Sequence, residues 1–354
     1  MKLIDRYIAK TILAATGLVT LMLAGLQLFI LFVNQIDDLG RADFGIVQAS
    51  IFVLLQMPYQ VYLFFPMASL LGCLIGLGIM ANNRELIVMR AAGLSIGQIT
   101  ISVLKAALIL IFIVTIVAEL LIPRLSHFAN KQKLHAVSGG QTLTTSQGIW
   151  LRYHNDYIAI GGVLPNHTLY HIYQFRFNEA HQLTLARKID YAVLINNQWH
   201  AGQVKETIIQ DNYTQTREIA QMPWDVSINP LVLSLSMSEP DEMTLREIKQ
   251  FLRIQKRSHQ AAVNFQLAYW QRIIQPLTTV VMMILAIPFI FGPLRSSTMG
   301  SKLLAGAIVG FGFHILNRFF GPVSQVLQWP AVVAALGPTL LFAILGIYLM
   351  QRVR

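Results

Sequence analysis

Charged residues are scarce in this sequence and unevenly spread. Only 12% of its 354 residues are Asp, Glu, Lys or Arg, while 55% are hydrophobic. A soluble globular chain carries about 25% charged residues. Long stretches hold no charge, whereas residues 124–260 have the composition of ordinary soluble protein. The sequence therefore predicts several membrane spans and one folded domain, rather than a soluble globular protein.

Cysteine is almost absent as well. Cys73 is the only one and lies in an apolar run, which excludes an intrachain disulfide and disfavours a Cys-based metal site. Eight of the nine histidines fall between His127 and His259, yet only His167 and His171 are closely spaced, so no metal site is predicted. No phosphate-binding loop and no His-Glu-x-x-His pair occur. We predict no catalytic residue and no cofactor, and any ATP hydrolysis must come from another subunit.

Six nearly uncharged runs are long enough to cross a bilayer, which takes about 20 residues of helix. They are residues 11–36, 44–83, 101–122, 270–291, 303–323 and 331–350. The second run contains Pro58 and Pro66 and predicts a kinked or broken span. The first run follows a basic start but is too long for a signal peptide, so it predicts a retained span.

The positions of Lys and Arg predict the orientation. If the N-terminus is cytoplasmic, the short outer loops hold only Arg41, because the other basic residues near the spans fall inside. Those inner residues are Lys2, Arg6, Lys10, Arg84, Arg90, Lys105, Arg295, Lys302, Arg352 and Arg354. We expect both termini in the cytoplasm and the 124–260 region outside. The net charge of +10 is thereby explained by topology, and no nucleic-acid partner is predicted.

The region between the third and fourth spans has the pattern of a β-domain. Residues 149–153, 156–160, 168–177 and 204–209 are rich in β-branched and aromatic residues, as strands are. Short strands without helices between them predict an inserted all-β domain. A helix follows it, because Thr244 and Glu247 match a capping box.

Ionisable side chains within the spans require an explanation, since each costs about 2.5–3.5 kcal/mol at the centre of a span. His314, Asn317 and Arg318 share one face of the fifth span. In the first interpretation, Arg318 is structural: its side chain either extends to the outer membrane interface or pairs with Glu119. In the second, this face lines a cavity that binds an anionic substrate. In the second case, the basic residues after the third span are predicted to extend the patch: Arg124, Lys131 and Lys133.

Residues 82–94 mix charged and apolar side chains between the second and third spans. Gly93 is a suitable helix terminator. The pattern indicates a short amphipathic helix, which either anchors at the inner membrane surface or docks into a groove on a soluble partner.

Several motifs together resemble the LptF/LptG (YjgP/YjgQ) permease family over the whole chain. They are Leu3-Ile-Asp-Arg-Tyr-Ile8, Phe64-Phe-Pro-Met-Ala-Ser-Leu-Leu-Gly72 with Gly76-Leu-Gly78, Arg84-Glu-Leu-Ile-Val-Met-Arg-Ala-Ala-Gly93 and Phe291-Gly-Pro-Leu-Arg-Ser296. The first and last look more like the LptG branch of the family than the LptF branch.

The resemblance implies a polytopic α-helical protein of the bacterial inner membrane with six transmembrane helices. It places a periplasmic jellyroll-like β-domain between spans three and four. The implied domains are 1–123, with a coupling helix at about 82–94, then 124–262 for the β-domain with flanking helices, and 263–354. The implied function is that of a non-catalytic permease subunit of an ABC exporter, which extracts lipopolysaccharide and passes it to a periplasmic bridge.

The same resemblance implies partners and contacts. The partners are an LptF-type sister permease, an LptB-type ATPase dimer and an LptC-type single-span protein. Coupling to the ATPase would use Arg84, Glu85, Leu86, Met89 and Arg90. Lipopolysaccharide phosphates would meet the basic patch. The chain departs from the family pattern at the end of the first span, where relatives carry lysines and this chain has Leu31, Asp37 and Asp38.

Two other functions fit the residues alone. A secondary transporter of a smaller anion would need ion-coupling carboxylates or discontinuous helices, and Glu119 is the single acidic residue in the predicted spans. A membrane scaffold that does not transport would recruit partners through its β-domain and would not need a polar face such as that of His314. Association with an ATPase would exclude both.

Overall fold

The computed structural model describes residues 3–137, 149–153, 155–163, 168–180, 182–195, 198–210, 213–226, 240–257, 263–291 and 298–352. The described α-helices are α1 Leu3–Val33, α2 Ile46–Asn82, α3 Glu85–Ala91, α4 Ile96–Ile116, α5 Ile122–Val137, α6 Leu245–Arg257, α7 Val263–Phe291, α8 Met299–Val326 and α9 Ala331–Gln351. The chain forms two compact units. One contains Met1–Asn34, Val53–Ser126 and Val263–Arg354, and the other contains Gln35–Phe52 and His127–Ala262.

Six helical segments in the described part of the chain are long and apolar enough to cross a membrane, which confirms the predicted number of spans. The third is longer than predicted, because α4 and α5 are joined by a π-helical turn at Val117–Leu121. The segment Ile96–Val137 is therefore 42 residues long, or about 63 Å at 1.5 Å per residue. The third span thus continues well beyond the hydrocarbon layer.

The second span is one unbroken helix through both of its prolines. Of the two predicted alternatives, a kinked span or a broken span, the broken span was wrong. Pro66 leaves the carbonyl of Tyr62, four residues earlier, without its helical donor. The side-chain amide of Gln275 in α7 donates to that oxygen at 2.8 Å. A polar side chain of a neighbouring helix thus satisfies the group that proline leaves free.

The core of the helical unit is centred on α2, whose residues Leu70, Leu74 and Leu77 are fully buried. Helix α1 lies close to α2 because Gly72 has no side chain. A Cβ added to Gly72 would collide with Thr16. Small residues allow such close helix contacts in membranes.

The inserted domain is all-β, as predicted. Its described strands form one antiparallel sheet in chain order. They are β1 Ile149–Tyr153, β2 Asp156–Val163, β3 Leu169–Phe177, β4 Leu183–Ile195, β5 Gln198–Ile209 and β6 Thr214–Pro223. The sequence predicted β1, β2, β3 and part of β5, and it missed β4 and β6. Turn signals at 165–166, 196–197 and 211–212 lie outside the described residues.

A transverse crease crosses five of these strands. We define it as the line of residues skipped by the strand pairing: Gly161, His171, Asp190, Gln203 and Ala220. His171 and Gln203 adopt left-handed φ values of 50° and 53°. The pairing register is the same on both sides of the line, so facing residues of adjacent strands are interrupted together. Buried positions therefore step by three instead of two there, for example from Leu169 to Ile172 and from Ile189 to Ala192.

One end of the buried sheet face carries charges instead of apolar side chains. Glu206 is 1% exposed and accepts hydrogen bonds from Arg187 at 2.7 Å and Arg217 at 2.7 Å. Asp225 bridges Arg187 and Arg176, and Arg176 also pairs with Asp156. Burial alone would raise the pKa of Glu206, but the two guanidinium groups lower it below its ordinary value. Each carboxylate and each guanidinium group of this network therefore has a partner of opposite charge.

Helix α6 begins with the predicted capping box. The backbone N–H of Glu247 donates to the hydroxyl of Thr244 at 3.3 Å, and the backbone N–H of Thr244 donates to the Glu247 carboxylate at 2.7 Å. Two N–H groups at the helix start are thus satisfied reciprocally.

Candidate functional site

The predicted polar face of the fifth span lies in α8. His314 and Asn317 are half-buried, and Arg318 is exposed. Within the described residues, no hydrogen bond or ion pair engages the guanidinium group of Arg318. A cation held at this position is therefore available to an anionic ligand, and the structure brings the three side chains together on one helical face as predicted.

The alternative pairing of Arg318 with Glu119 was wrong, because Glu119 lies beside a different arginine. The Nη1 atom of Arg272 in α7 is 3.8 Å from the Glu119 carboxylate, and the Arg272 side chain is only 9% exposed. Glu119 lies in the π-helical turn between α4 and α5. Such turns are frequent at functional positions. Sequence reasoning missed Arg272, although an arginine within an apolar run is itself a signal.

The three basic residues after the third span do not form one patch. Arg124 and Lys131 are exposed and lie seven residues apart, hence on the same side of α5. Lys133 is about 200° around the helix from Lys131. The structure therefore separates Lys133 from the other two.

Lys133 is already paired within this chain. Its Nζ atom is 2.8 Å from the Asp38 carboxylate and donates to Gln35 at 2.6 Å. It also lies 5.7 Å from the ring centre of Phe44 and 5.0 Å from that of Phe52, within cation–π range. Asp38, at the position where the chain departs from the family pattern, thus neutralises a residue predicted to bind substrate.

The predicted coupling segment contains α3, and its exposed apolar residues differ from those expected. Leu86 is 2% exposed and belongs to the helical core, where Met89 packs against the same cluster. The exposed apolar side chains are Ile87 at 64% and Val88 at 66%. Because the helix has 3.6 residues per turn, these two point away from the side on which Leu86 and Met89 turn inward.

The charged residues of the segment have different roles. Arg84 and Arg90 are exposed, and Arg84 has a left-handed φ of 62° at the start of α3. Glu85 accepts hydrogen bonds from the hydroxyl of Tyr7 at 2.9 Å and from Asn83 at 3.1 Å. The Glu85 carboxylate therefore fixes α3 against the start of α1.

A Gly-x-Ser-x-Gly sequence, the pattern of a hydrolase nucleophile elbow, occurs at residues 93–97. In the structure, Ser95 caps α4: its hydroxyl accepts from the backbone N–H of Gln98 at 3.2 Å. A helix, α3, precedes it where an elbow requires a strand. Ser95 is thus a helix cap. Among the described residues, no group of three His, Cys, Asp or Glu side chains is placed to hold a metal ion.

Six apolar helices, an all-β insertion and a charged segment between the second and third spans define a multi-pass membrane protein with the architecture of a transport subunit. Residues 6–352 match the family described as "Lipopolysaccharide export system permease LptF/LptG". The chain belongs to this family. The matching region includes residues 292–296 of the predicted family loop, which lie outside the described residues.

Two curated relatives resemble the chain over its full length. It is 35% identical to the lipopolysaccharide export system permease protein LptG of Haemophilus influenzae over 354 residues, which cover 99% of both chains. It is 34% identical to the protein of the same name from Escherichia coli K12 over 352 residues, which cover 99% of this chain and 98% of the relative.

Proposed function

We propose that this chain is the transmembrane permease subunit of an ABC exporter that extracts lipopolysaccharide from the bacterial inner membrane and passes it towards the outer membrane. The observation that carries this proposal is its end-to-end similarity to lipopolysaccharide export permeases, with the β insertion included. The chain does not hydrolyse ATP in this account, and a partner ATPase supplies the energy.

The proposed orientation follows the distribution of basic residues. Both termini and α3 are cytoplasmic, and the β-domain is periplasmic. The proposed domains are residues 1–123, 124–262 and 263–354. In this orientation α3 faces the compartment that contains ATP, and the sheet faces the compartment into which lipopolysaccharide leaves.

The proposed partners are an LptF-type sister permease, an LptB-type ATPase dimer and an LptC-type single-span protein. We place the ATPase contact on the exposed side of α3. Ile87 and Val88 enter an apolar groove, while Arg84 and Arg90 meet acidic groups at its rim. The helix is held in position by contacts within this chain. Leu86 and Met89 pack into the helical core, and Glu85 accepts a hydrogen bond from Tyr7.

The proposed substrate contacts are phosphate groups of lipopolysaccharide. Arg318 is the principal contact, since it is exposed on a span, and His314 and Asn317 add hydrogen-bonding groups on the same face. Arg124 and Lys131 provide a second cationic position on α5. Lys133 contributes only when its pairing with Asp38 opens.

The test is depletion of this chain from its native cells, followed by complementation. Depletion should leave newly made lipopolysaccharide in the inner membrane, and the wild-type chain should restore its export. Ile87→Asp with Val88→Asp should fail to restore export, because two charges cannot enter an apolar groove. The matched control, Ile87→Leu with Val88→Leu, should restore it. Unchanged lipopolysaccharide export after depletion would overturn the proposed function.

A further inference from the structure

Helix α6 carries a basic stripe, which we define as Arg246, Lys249, Arg253 and Lys256. All four side chains are exposed. At 100° per residue, they fall within an arc of about 80° along the helix. Within the described residues, none of the four forms an ion pair or hydrogen bond, and no acidic residue lies inside the arc. The stripe is thus a row of solvent-facing cations.

The other sides of α6 are already used by the protein. Ile248 is fully buried and Phe251 is 2% exposed, and Glu247 is occupied in the capping box. A peripheral helix usually places its apolar side in the membrane and its basic residues at the edge. In α6 the apolar side is covered by protein, so only the basic stripe is available for contact.

Two connections link α6 to segments that adjoin the third and fourth spans in sequence. Glu242, three residues before Leu245, accepts hydrogen bonds from Asn130 at 2.6 Å and pairs with His127 at 3.2 Å. Arg124 is the first charged residue after the apolar part of the third span. Along the helix, His127 lies about 4.5 Å beyond it and Asn130 about 9 Å beyond it. At the other end, Arg257 is six residues from Val263, where the fourth span begins. The linking segment therefore spans at most about 21 Å.

We infer that the basic stripe of α6 docks on the phosphate headgroups of anionic phospholipids, in the leaflet on the side of the β insertion. Anionic headgroups attract basic residues near the surface, each with an effect of about fivefold on binding. A row of four exposed cations complements a negatively charged plane. Docking at α6 would fix the height of the β-domain above the bilayer. This inference does not depend on the transported substrate.

The experiment uses the full chain in lipid nanodiscs with a fluorophore on Gln250→Cys. Gln250 is exposed within α6, whereas the native Cys73 is fully buried and resists labelling. Quenching by headgroup-labelled lipid is measured in phosphatidylcholine alone and with added phosphatidylglycerol. Addition of phosphatidylglycerol should increase quenching several-fold. Lys249→Gln with Arg253→Gln should remove most of that increase, because the two substitutions weaken the docking equilibrium about 25-fold, or fivefold per cation.

The matched control is Lys188→Gln with Lys205→Gln, which removes two positive charges from the sheet and should leave the response unchanged. Native emission of the sheet tryptophans confirms that each variant is folded. The inference is overturned if quenching does not depend on phosphatidylglycerol, or if the control variant loses the response equally. Full competition by inorganic phosphate at constant ionic strength would also overturn it, because it would reveal a site for free phosphate instead of a membrane contact.

Discussion

The side-chain amide of Gln275 donates to the main-chain oxygen of Tyr62 at 2.8 Å. That oxygen is the one that Pro66 deprives of its helical donor. The bond joins α7 to α2, and it lies within the helical unit. The continuity of the second span therefore depends on a side chain that is more than two hundred residues away in sequence.

We expect Gln275→Leu to destabilise the protein by about 1–3 kcal/mol, the cost of leaving a partly buried carbonyl within a span unsatisfied. The change is measured as the free energy of unfolding in detergent. In a Pro66→Ala background the cost should be much smaller, because alanine at that position restores the backbone N–H donor. A Pro58→Ala background is the control and should leave the full cost, since Pro58 frees a different carbonyl. Equal costs in both backgrounds would contradict this explanation.

Replacement of Arg272 and of Arg318 by Met should affect different properties: the first should lower stability, and the second should weaken lipopolysaccharide binding. Arg272→Met should lower stability by about 2 kcal/mol, because it removes the guanidinium group beside the partly buried Glu119 carboxylate. Arg318→Met should change stability by less than about 0.5 kcal/mol and weaken lipopolysaccharide binding about tenfold, because a charge-assisted hydrogen bond is lost. Thermal unfolding and lipopolysaccharide binding of the two variants separate these effects. If Arg318→Met instead lowered stability and left lipopolysaccharide binding unchanged, Arg318 would be a structural residue.

Asp38→Asn should strengthen lipopolysaccharide binding about fivefold, since it releases Lys133 from an ion pair worth ~1 kcal/mol. Asp37→Asn is the control, because it removes the same charge from the neighbouring residue, and it should have little effect. Lys133→Met should abolish the difference between the two Asp variants. Weaker binding in Asp38→Asn would indicate that the pair positions the site instead of competing for it.

The β-domain should lose stability on acidification through Glu206. Because Arg187 and Arg217 lower its folded pKa, the stabilisation is present above the unfolded pKa of about 4.3 and is lost as the pH falls below it. Glu206→Gln should cost about 3 kcal/mol at neutral pH, because the buried guanidinium group of Arg187 and the more exposed one of Arg217 lose their carboxylate. Emission of Trp199 and Trp224, which are buried in the sheet core, reports unfolding.

Glu218→Gln is the control for that experiment. Glu218 is exposed and pairs with Lys205 at 2.8 Å, so solvent screens the interaction. Its replacement should leave the acid transition unchanged. If Glu206→Gln shows the same acid sensitivity as the wild type, the buried network does not control this transition.

The sequence predicted those features that depend on composition and short-range pattern. Six spans, the all-β insertion and the capping box of α6 follow from runs of apolar residues, strand-forming residues and the spacing of Thr244 and Glu247. Each of these signals lies within a window of about 20 residues. Such local patterns are largely independent of tertiary contacts.

The features that it did not predict depend on contacts between distant residues. Whether Pro66 breaks a helix depends on Gln275, and whether Lys133 is available depends on Asp38. The alternating burial of β4 is interrupted at the crease, which hides its period of two and explains why the strand was missed. Which side of α3 faces inward likewise depends on the helical core, because Leu86 packs into it.

The most direct test of the central claim is purification of this chain from its native membrane in mild detergent, followed by mass spectrometry of the bound proteins and lipids. We expect a sister permease, a small P-loop ATPase and lipopolysaccharide to be recovered with the chain. Recovery of the chain alone, under conditions that keep other membrane transport complexes intact, would contradict it.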